Sequence, residues 1–85
     1  MTNESKVIEK LRHILVDLNF SSAAKTVKTD EDLFEAGALD SLTLIQFVLA
    51  LEESFGIELN NDDINYENFK NLEQMSQVLR QKYKI

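Results

Sequence analysis

Asp40 and Ser41 set a carboxylate beside a hydroxyl where a loop-like segment ending at Gly37 gives way to an apolar run through Phe55. Serine is a favoured helix N-cap, because its oxygen accepts a backbone N–H that the first helical turn leaves unpaired. The same junction presents a hydroxyl for chemistry, so Ser41 is either a cap alone or a covalent attachment point. A catalytic serine needs a base to activate it. The single histidine, His13, falls on another element and off its apolar stripe, which is the pattern of a surface residue. Asp30, Glu31 and Asp32 could hold a cation, but read more simply as a solvated acidic loop. Asn60-Asn61-Asp62-Asp63 looks like a calcium loop only superficially, since the glycine and the distal glutamate at the required spacing are missing. That segment reads as a turn and cap. There is no glycine-rich phosphate loop and no metal-ligand cluster. No catalytic residue and no metal are therefore assigned, and the chain reads as a substrate for other enzymes rather than as an enzyme.

The elements that would position Ser41 follow from hydrophobic spacing. Val7, Ile8, Leu11, Ile14, Leu15 and Leu18 recur every three or four residues and predict a first helix over residues 4–18. Residues 19–40 form a long connection, and loops of that length inside a compact domain are usually functional or pinned down. Phe20, Val27, Leu33 and Phe34 are the expected pins, with Thr29-Asp30-Glu31-Asp32 capping a short turn. Residues 41–55 are predicted as the second helix. Leu44, Phe47, Val48, Leu51 and Phe55 fall on one arc and are assigned to the core. Leu42, Ile45 and Leu49 fall on another, beside Glu53, and such a second stripe either packs under the loop or is an exposed docking patch.

Gly56 is a natural helix stop, because it tolerates a left-handed backbone. Ile57 and Leu59 are expected to return inward, and a short helix over residues 65–69 is expected to bring Tyr66 and Phe69 inward too. Asn71 reads as the cap of a last helix carrying Leu72, Met75, Val78, Leu79 and Tyr83. The predicted fold is all-α: a small four-helix bundle, three main helices plus one short helix, with a long loop between helices 1 and 2. With two glycines and no proline, a turn-rich β fold is disfavoured.

Eighty-five residues make one small domain, expected to span residues 1–85. The net charge of −6 makes nucleic-acid binding a poor expectation and favours partners with basic surfaces. No cysteine is present, which leaves no disulfide, no thiolate metal site and no cysteine nucleophile. The most apolar stretch, from Leu42 to Leu51, is well short of the roughly 20 residues that span a bilayer. The first residues show no basic region followed by an apolar run, so no signal peptide is read and the cytoplasm is expected. A monomer is expected.

The segment Gly37-Ala38-Leu39-Asp40-Ser41-Leu42 resembles the attachment motif of acyl and peptidyl carrier proteins, which carry a D-S-L triplet at the start of their second helix. Leu51-Glu52-Glu53-Ser54-Phe55, the Asp32-Leu33-Phe34-Glu35 lead-in and the Gly56-Ile57-Glu58-Leu59 exit extend the likeness over nearly the whole chain. The resemblance implies that Ser41 receives 4′-phosphopantetheine from coenzyme A through a phosphodiester, made by a separate phosphopantetheinyl transferase with magnesium. Asp40 maps onto the aspartate that supports this modification. The arm ends in a thiol that holds an acyl, aminoacyl or peptidyl group as a thioester, which would give thiol chemistry to a chain without cysteine. The free N–H groups and dipole of a helix N-terminus suit a phosphate there. The implied partners are the transferase, an acyl- or aminoacyl-loading enzyme and a downstream acyltransferase or synthase, docking through Leu42, Ile45, Leu49 and Glu53. Thr43, Leu44, Gln46 and Ser54 dilute the acidity usual in fatty-acid carriers. The Gly-Ala-Leu-Asp-Ser form is closer to discrete aminoacyl carriers, such as the D-alanyl type, and to stand-alone carriers of polyketide or peptide pathways. A competing reading is an unmodified carrier-like adaptor that binds partners through helix 2. A third, a small hydrolase, lacks the base it would need.

Overall fold

In the computed structural model, residues 3–18 and 22–85 are described, and all their regular elements are helical. The long helices are α1 (Asn3–Asp17), α3 (Ser41–Phe55) and α5 (Leu72–Lys82), with two short ones, α2 (Ala23–Thr26) and α4 (Tyr66–Phe69). A 3-10 turn covers Asn61–Asp63. α1 packs against α5, α3 and α2, and α4 packs against α5. The predicted bundle of three main helices and one short helix is present. The difference is α2, which lies inside the segment predicted as loop. Its four residues are too few to show a helical period, so it left no signal of its own.

The core is built from the predicted stripes. Val7, Leu11, Ile14 and Leu15 of α1, Phe47, Val48 and Leu51 of α3, and Leu72, Met75 and Leu79 of α5 are buried together with Phe69. Ile8, Leu18, Leu44 and Phe55 are only half-buried, at the edges of that cluster. α3 ends where expected: Gly56 adopts φ 68°, and its N–H donates to the carbonyl of Glu52. Lys10 reaches across from α1 to the same helix end, donating to the Ser54 carbonyl at 3.0 Å and lying 4.6 Å from the centre of the Phe55 ring. A cation at a helix C-terminus is favoured by the exposed carbonyls and the dipole.

The connection into α3 is held along its length. Val27, Leu33, Ala38 and Leu39 are buried, and Phe34 is half-buried. Phe20, the other expected pin, lies outside the described residues. Asp32 caps a turn over residues 33–37, its Oδ1 accepting the N–H groups of Phe34 and Glu35 at 2.9 and 3.0 Å. The backbone is tied to the α4–α5 corner: Leu33 N–H donates to Lys70 O at 2.7 Å, and Glu73 N–H donates to Thr29 O at 3.0 Å. These bonds give the backbone polar groups of an irregular segment the partners they would otherwise find in water.

One expectation changes in the second half, and another gains detail. Tyr66 is exposed, not turned inward. Its hydroxyl donates to Asp32 Oδ2, and its ring lies 5.4 Å from that of Phe34. A phenol that must keep a polar partner sits better at the rim than in the core. Asn60–Asp63 is a turn, as expected, with a 3-10 turn over Asn61–Asp63, and within it Asp63 is only 6% exposed. Lys82 Nζ lies 2.6 Å from Asp63 Oδ1, and the Tyr83 hydroxyl donates to Oδ2 at 2.6 Å. A buried carboxylate persists only when paired in this way.

Candidate attachment site at the start of α3

The turn that delivers the chain to α3 is closed by Leu33, whose carbonyl accepts from Ala38 N–H at 2.8 Å and Leu39 N–H at 3.2 Å. Gly37 allows it by taking φ 81°, a backbone conformation that disfavours other residues. Ala38 and Leu39 are then buried, and Asp40 emerges exposed with an extended backbone.

Asp40 caps α3, where serine was expected to do so. Its Oδ1 accepts the N–H groups of Leu42 at 3.1 Å and Thr43 at 2.9 Å. Thr43 reciprocates: its Oγ1 accepts from Asp40 N–H at 2.8 Å and lies 2.9 Å from Asp40 Oδ1. This is a capping box with threonine in the third helical position. Aspartate and serine are comparable caps, and the Thr43 hydroxyl, three residues after Asp40, decides between them. Hydrogen bonds from the Thr43 backbone N–H and then its hydroxyl hold the Asp40 carboxyl below the usual aspartate value, so it is ionised at neutral pH.

Ser41 is thereby released from capping. It is the first residue of α3, it is exposed, and its hydroxyl takes no hydrogen bond among the described residues. The geometry also revises the expected phosphate setting. The N–H groups of Leu42 and Thr43 are taken by Asp40 Oδ1, and that of Leu44 by Asp40 O at 2.8 Å. Of the first four, the Ser41 N–H alone has no partner among the described residues, so a phosphate on Ser41 would feel the helix dipole but would not be gripped by the helix end. It would also sit beside the Asp40 carboxylate, which favours a phosphate pointing outward into solvent.

Leu42, Ile45 and Leu49 are 69%, 61% and 61% exposed. Their spacing of three and four residues puts them on one stripe, and the exposed Glu53 follows four residues later. Glu52 turns the other way, its Oε2 accepting from Leu59 N–H at 2.8 Å. A shallow apolar groove lined by Ile45, Val48, Leu49 and Ile64 runs beside this stripe. His13 lies on the exposed side of α1, its Nε2 3.5 Å from Asp17 Oδ2. Among the described residues, no group of three or more His, Cys, Asp or Glu is placed to hold a metal ion. No helix among the described residues is long and apolar enough to cross a membrane. Sequence reasoning missed Thr43, although the three-residue spacing from Asp40 is the capping-box signal.

Residues 9–79 match the family described as "Phosphopantetheine attachment site". The chain is 37% identical over 57 residues to the acyl carrier protein of Nitratidesulfovibrio vulgaris, covering 67% of this chain and 74% of that one. It is 38% identical over 58 residues to the acyl carrier protein of Campylobacter hominis, covering 68% and 72%. With the D-alanyl carrier protein of Streptococcus uberis it shares 30% identity over 81 residues, 95% of each chain. No solved structure matches it significantly. Matched to the attachment-site family over most of its length, the chain belongs to the phosphopantetheine-binding carrier proteins, whose prosthetic group is a covalently bound 4′-phosphopantetheine.

Proposed function

We propose that residues 1–85 act as one carrier domain in which Ser41 bears the 4′-phosphopantetheine arm and presents an acyl or aminoacyl group to partner enzymes. The observation that carries this reading is the Ser41 hydroxyl: exposed, without a hydrogen bond among the described residues, and relieved of capping by Asp40. A hydroxyl committed to its own helix would have to give up a bond before reacting, and this one does not. In the modification, Ser41 Oγ forms the phosphodiester and loses its proton to a base of the transferase. The pyrophosphate bond of coenzyme A breaks, and adenosine 3′,5′-bisphosphate leaves. The bound arm supplies a terminal thiol that holds the cargo as a thioester.

The rest of the site has supporting roles. Asp40, ionised and with Oδ2 free of partners among the described residues, offers a carboxylate oxygen to the magnesium that accompanies coenzyme A. Leu42, Ile45 and Leu49 offer apolar contact area, and Glu53 with the net charge of −6 steers basic partner surfaces toward it. The partners are the phosphopantetheinyl transferase, a loading enzyme and a downstream acyltransferase or synthase. These partners perform the bond-making, so this chain is not itself an enzyme. The reading places it in the cytoplasm, where coenzyme A and the transferase are available.

The test is intact mass after incubation with coenzyme A, magnesium and a broad-specificity transferase. One phosphopantetheine added to the parent and none to Ser41→Ala is the expected result. An unchanged parent mass, with a control carrier modified in the same tube, would overturn the reading in favour of an unmodified adaptor docking through α3.

A further inference from the structure

An acyl chain tethered beyond Ser41 can be enclosed only where the helices part, since the groove lined by Ile45, Val48, Leu49 and Ile64 is shallow and open. The hollow beneath α3 is walled mainly by Leu51, Leu59, Phe69, Met75, Val78 and Leu79, and the surface it exposes is apolar. About 10 Å³ of it is open to the centre of a water-sized molecule. That is roughly the room for one water, and far less than a run of methylenes needs. The hollow's size rather than its chemistry excludes such a run, because the surface it offers is apolar.

The way in is filled as well. Phe47 is fully buried and Phe69 is 4% exposed. Their rings meet edge to face, 6.4 Å apart with an interplanar angle of 89°. Along α3, Phe47 stands about 9 Å beyond Ser41 and Leu51 about 15 Å, at the usual helical rise. A chain entering from the Ser41 end therefore meets the paired rings before it reaches the hollow. Parting them would break close contacts on both sides of a densely packed interior.

We propose that Phe47 and Phe69 close the bundle to its cargo, so that this carrier takes a short or polar acyl group, aminoacyl groups included, and presents it in solvent. The proposal rests on the carrier reading above, and it names Phe47 and Phe69 as the residues that set cargo size.

The experiment loads the parent chain from acetyl-, hexanoyl- and decanoyl-coenzyme A with a permissive transferase. Loading is checked by mass, and the Tm of each loaded form is then read. The expected result is three Tm values agreeing within about 2 °C. A Tm that climbs progressively beyond that with chain length overturns the proposal. Burial of most of a decanoyl chain would raise it by more than about 10 °C over the acetyl form. Failure to load at all, with a control carrier loaded alongside, would instead count against the carrier reading. Phe69→Ala, or Phe69→Leu if the alanine variant does not fold, opens the hollow while leaving Ser41 in place. Its decanoyl form is expected to melt above its acetyl form. Equal Tm values for the two forms of a folded variant would remove Phe69 from the closing role.

Discussion

Asp40 and Thr43 hold each other across the first turn of α3, each using backbone and side chain on the other: Thr43 N–H donates to Asp40 Oδ1 at 2.9 Å, and Asp40 N–H donates to Thr43 Oγ1 at 2.8 Å. The pair fixes the helix start and leaves the intervening Ser41 hydroxyl uncommitted. Capping thus falls to Asp40, which leaves its neighbour Ser41 for the proposed attachment.

That division can be tested by separating charge from hydrogen bonding at position 40. Asparagine caps a helix about as well as aspartate, so Asp40→Asn is expected to keep a Tm close to the parent. Asp40→Ala removes the acceptor and is expected to lower it. Both variants lose the carboxylate, so both are expected to be modified more slowly by the transferase, as read by mass gain over time. An Asp40→Asn chain modified at the parent rate would show that the aspartate serves the helix and not the reaction.

Asp63 predicts a dependence on acid. Its carboxyl is held below the ordinary 3.8, first by the Lys82 hydrogen bond and then by that of Tyr83. A carboxyl whose pKa is lowered by folding contributes its stability fully above the unfolded value, and that contribution is lost as pH falls through the lower folded value. The parent is therefore expected to lose stability on acidification below about pH 4. Asp63→Asn should be less stable at neutral pH, yet show a shallower decline in Tm on acidification. The decline should not vanish, because Asp32 and Asp40 are lowered in the same direction. Equal slopes in parent and variant would mean that Asp63 is not held in its charged form.

Ser76 predicts a gain. It is fully buried in α5, and among the described residues its Oγ has no hydrogen-bond partner. A buried hydroxyl without a partner carries its desolvation cost unrelieved, and alanine is the better helix former. Ser76→Ala is expected to raise stability by about 1 kcal/mol, or roughly 4–8 °C in Tm for a domain of this size. A loss of stability in thermal melts would reveal a partner for the hydroxyl.

Much of this molecule is written in local pattern. The three long helices follow from apolar residues recurring every three or four positions, and Gly56 and the Asn71 cap mark ends that depend only on backbone geometry and adjacent N–H groups. The two arcs of α3 were also legible, since helical phase alone separates Phe47, Val48 and Leu51, now buried, from Leu42, Ile45 and Leu49, now exposed. The shift of the cap from Ser41 to Asp40 sat at the limit of such reading. Both residue types cap well, and only the reciprocal Thr43 hydroxyl favours one.

The remaining features had no local cause. Asp63 is buried because Lys82 and Tyr83, some twenty residues away, are brought to it by α5. Tyr66 faces out because Asp32 and Phe34, on the far side of α3 in sequence, meet it at the rim. The connection before α3 is ordered by bonds to Lys70 and Glu73. The closure of the interior depends on Phe47 and Phe69 meeting across two helices. Propensity and periodicity report on neighbours along the chain, and they determined where the helices and the Asp40-Ser41 junction lie. Which buried charges find partners, and whether any room is left inside, depends on segments that meet only when the helices pack, and the tertiary structure alone decided those.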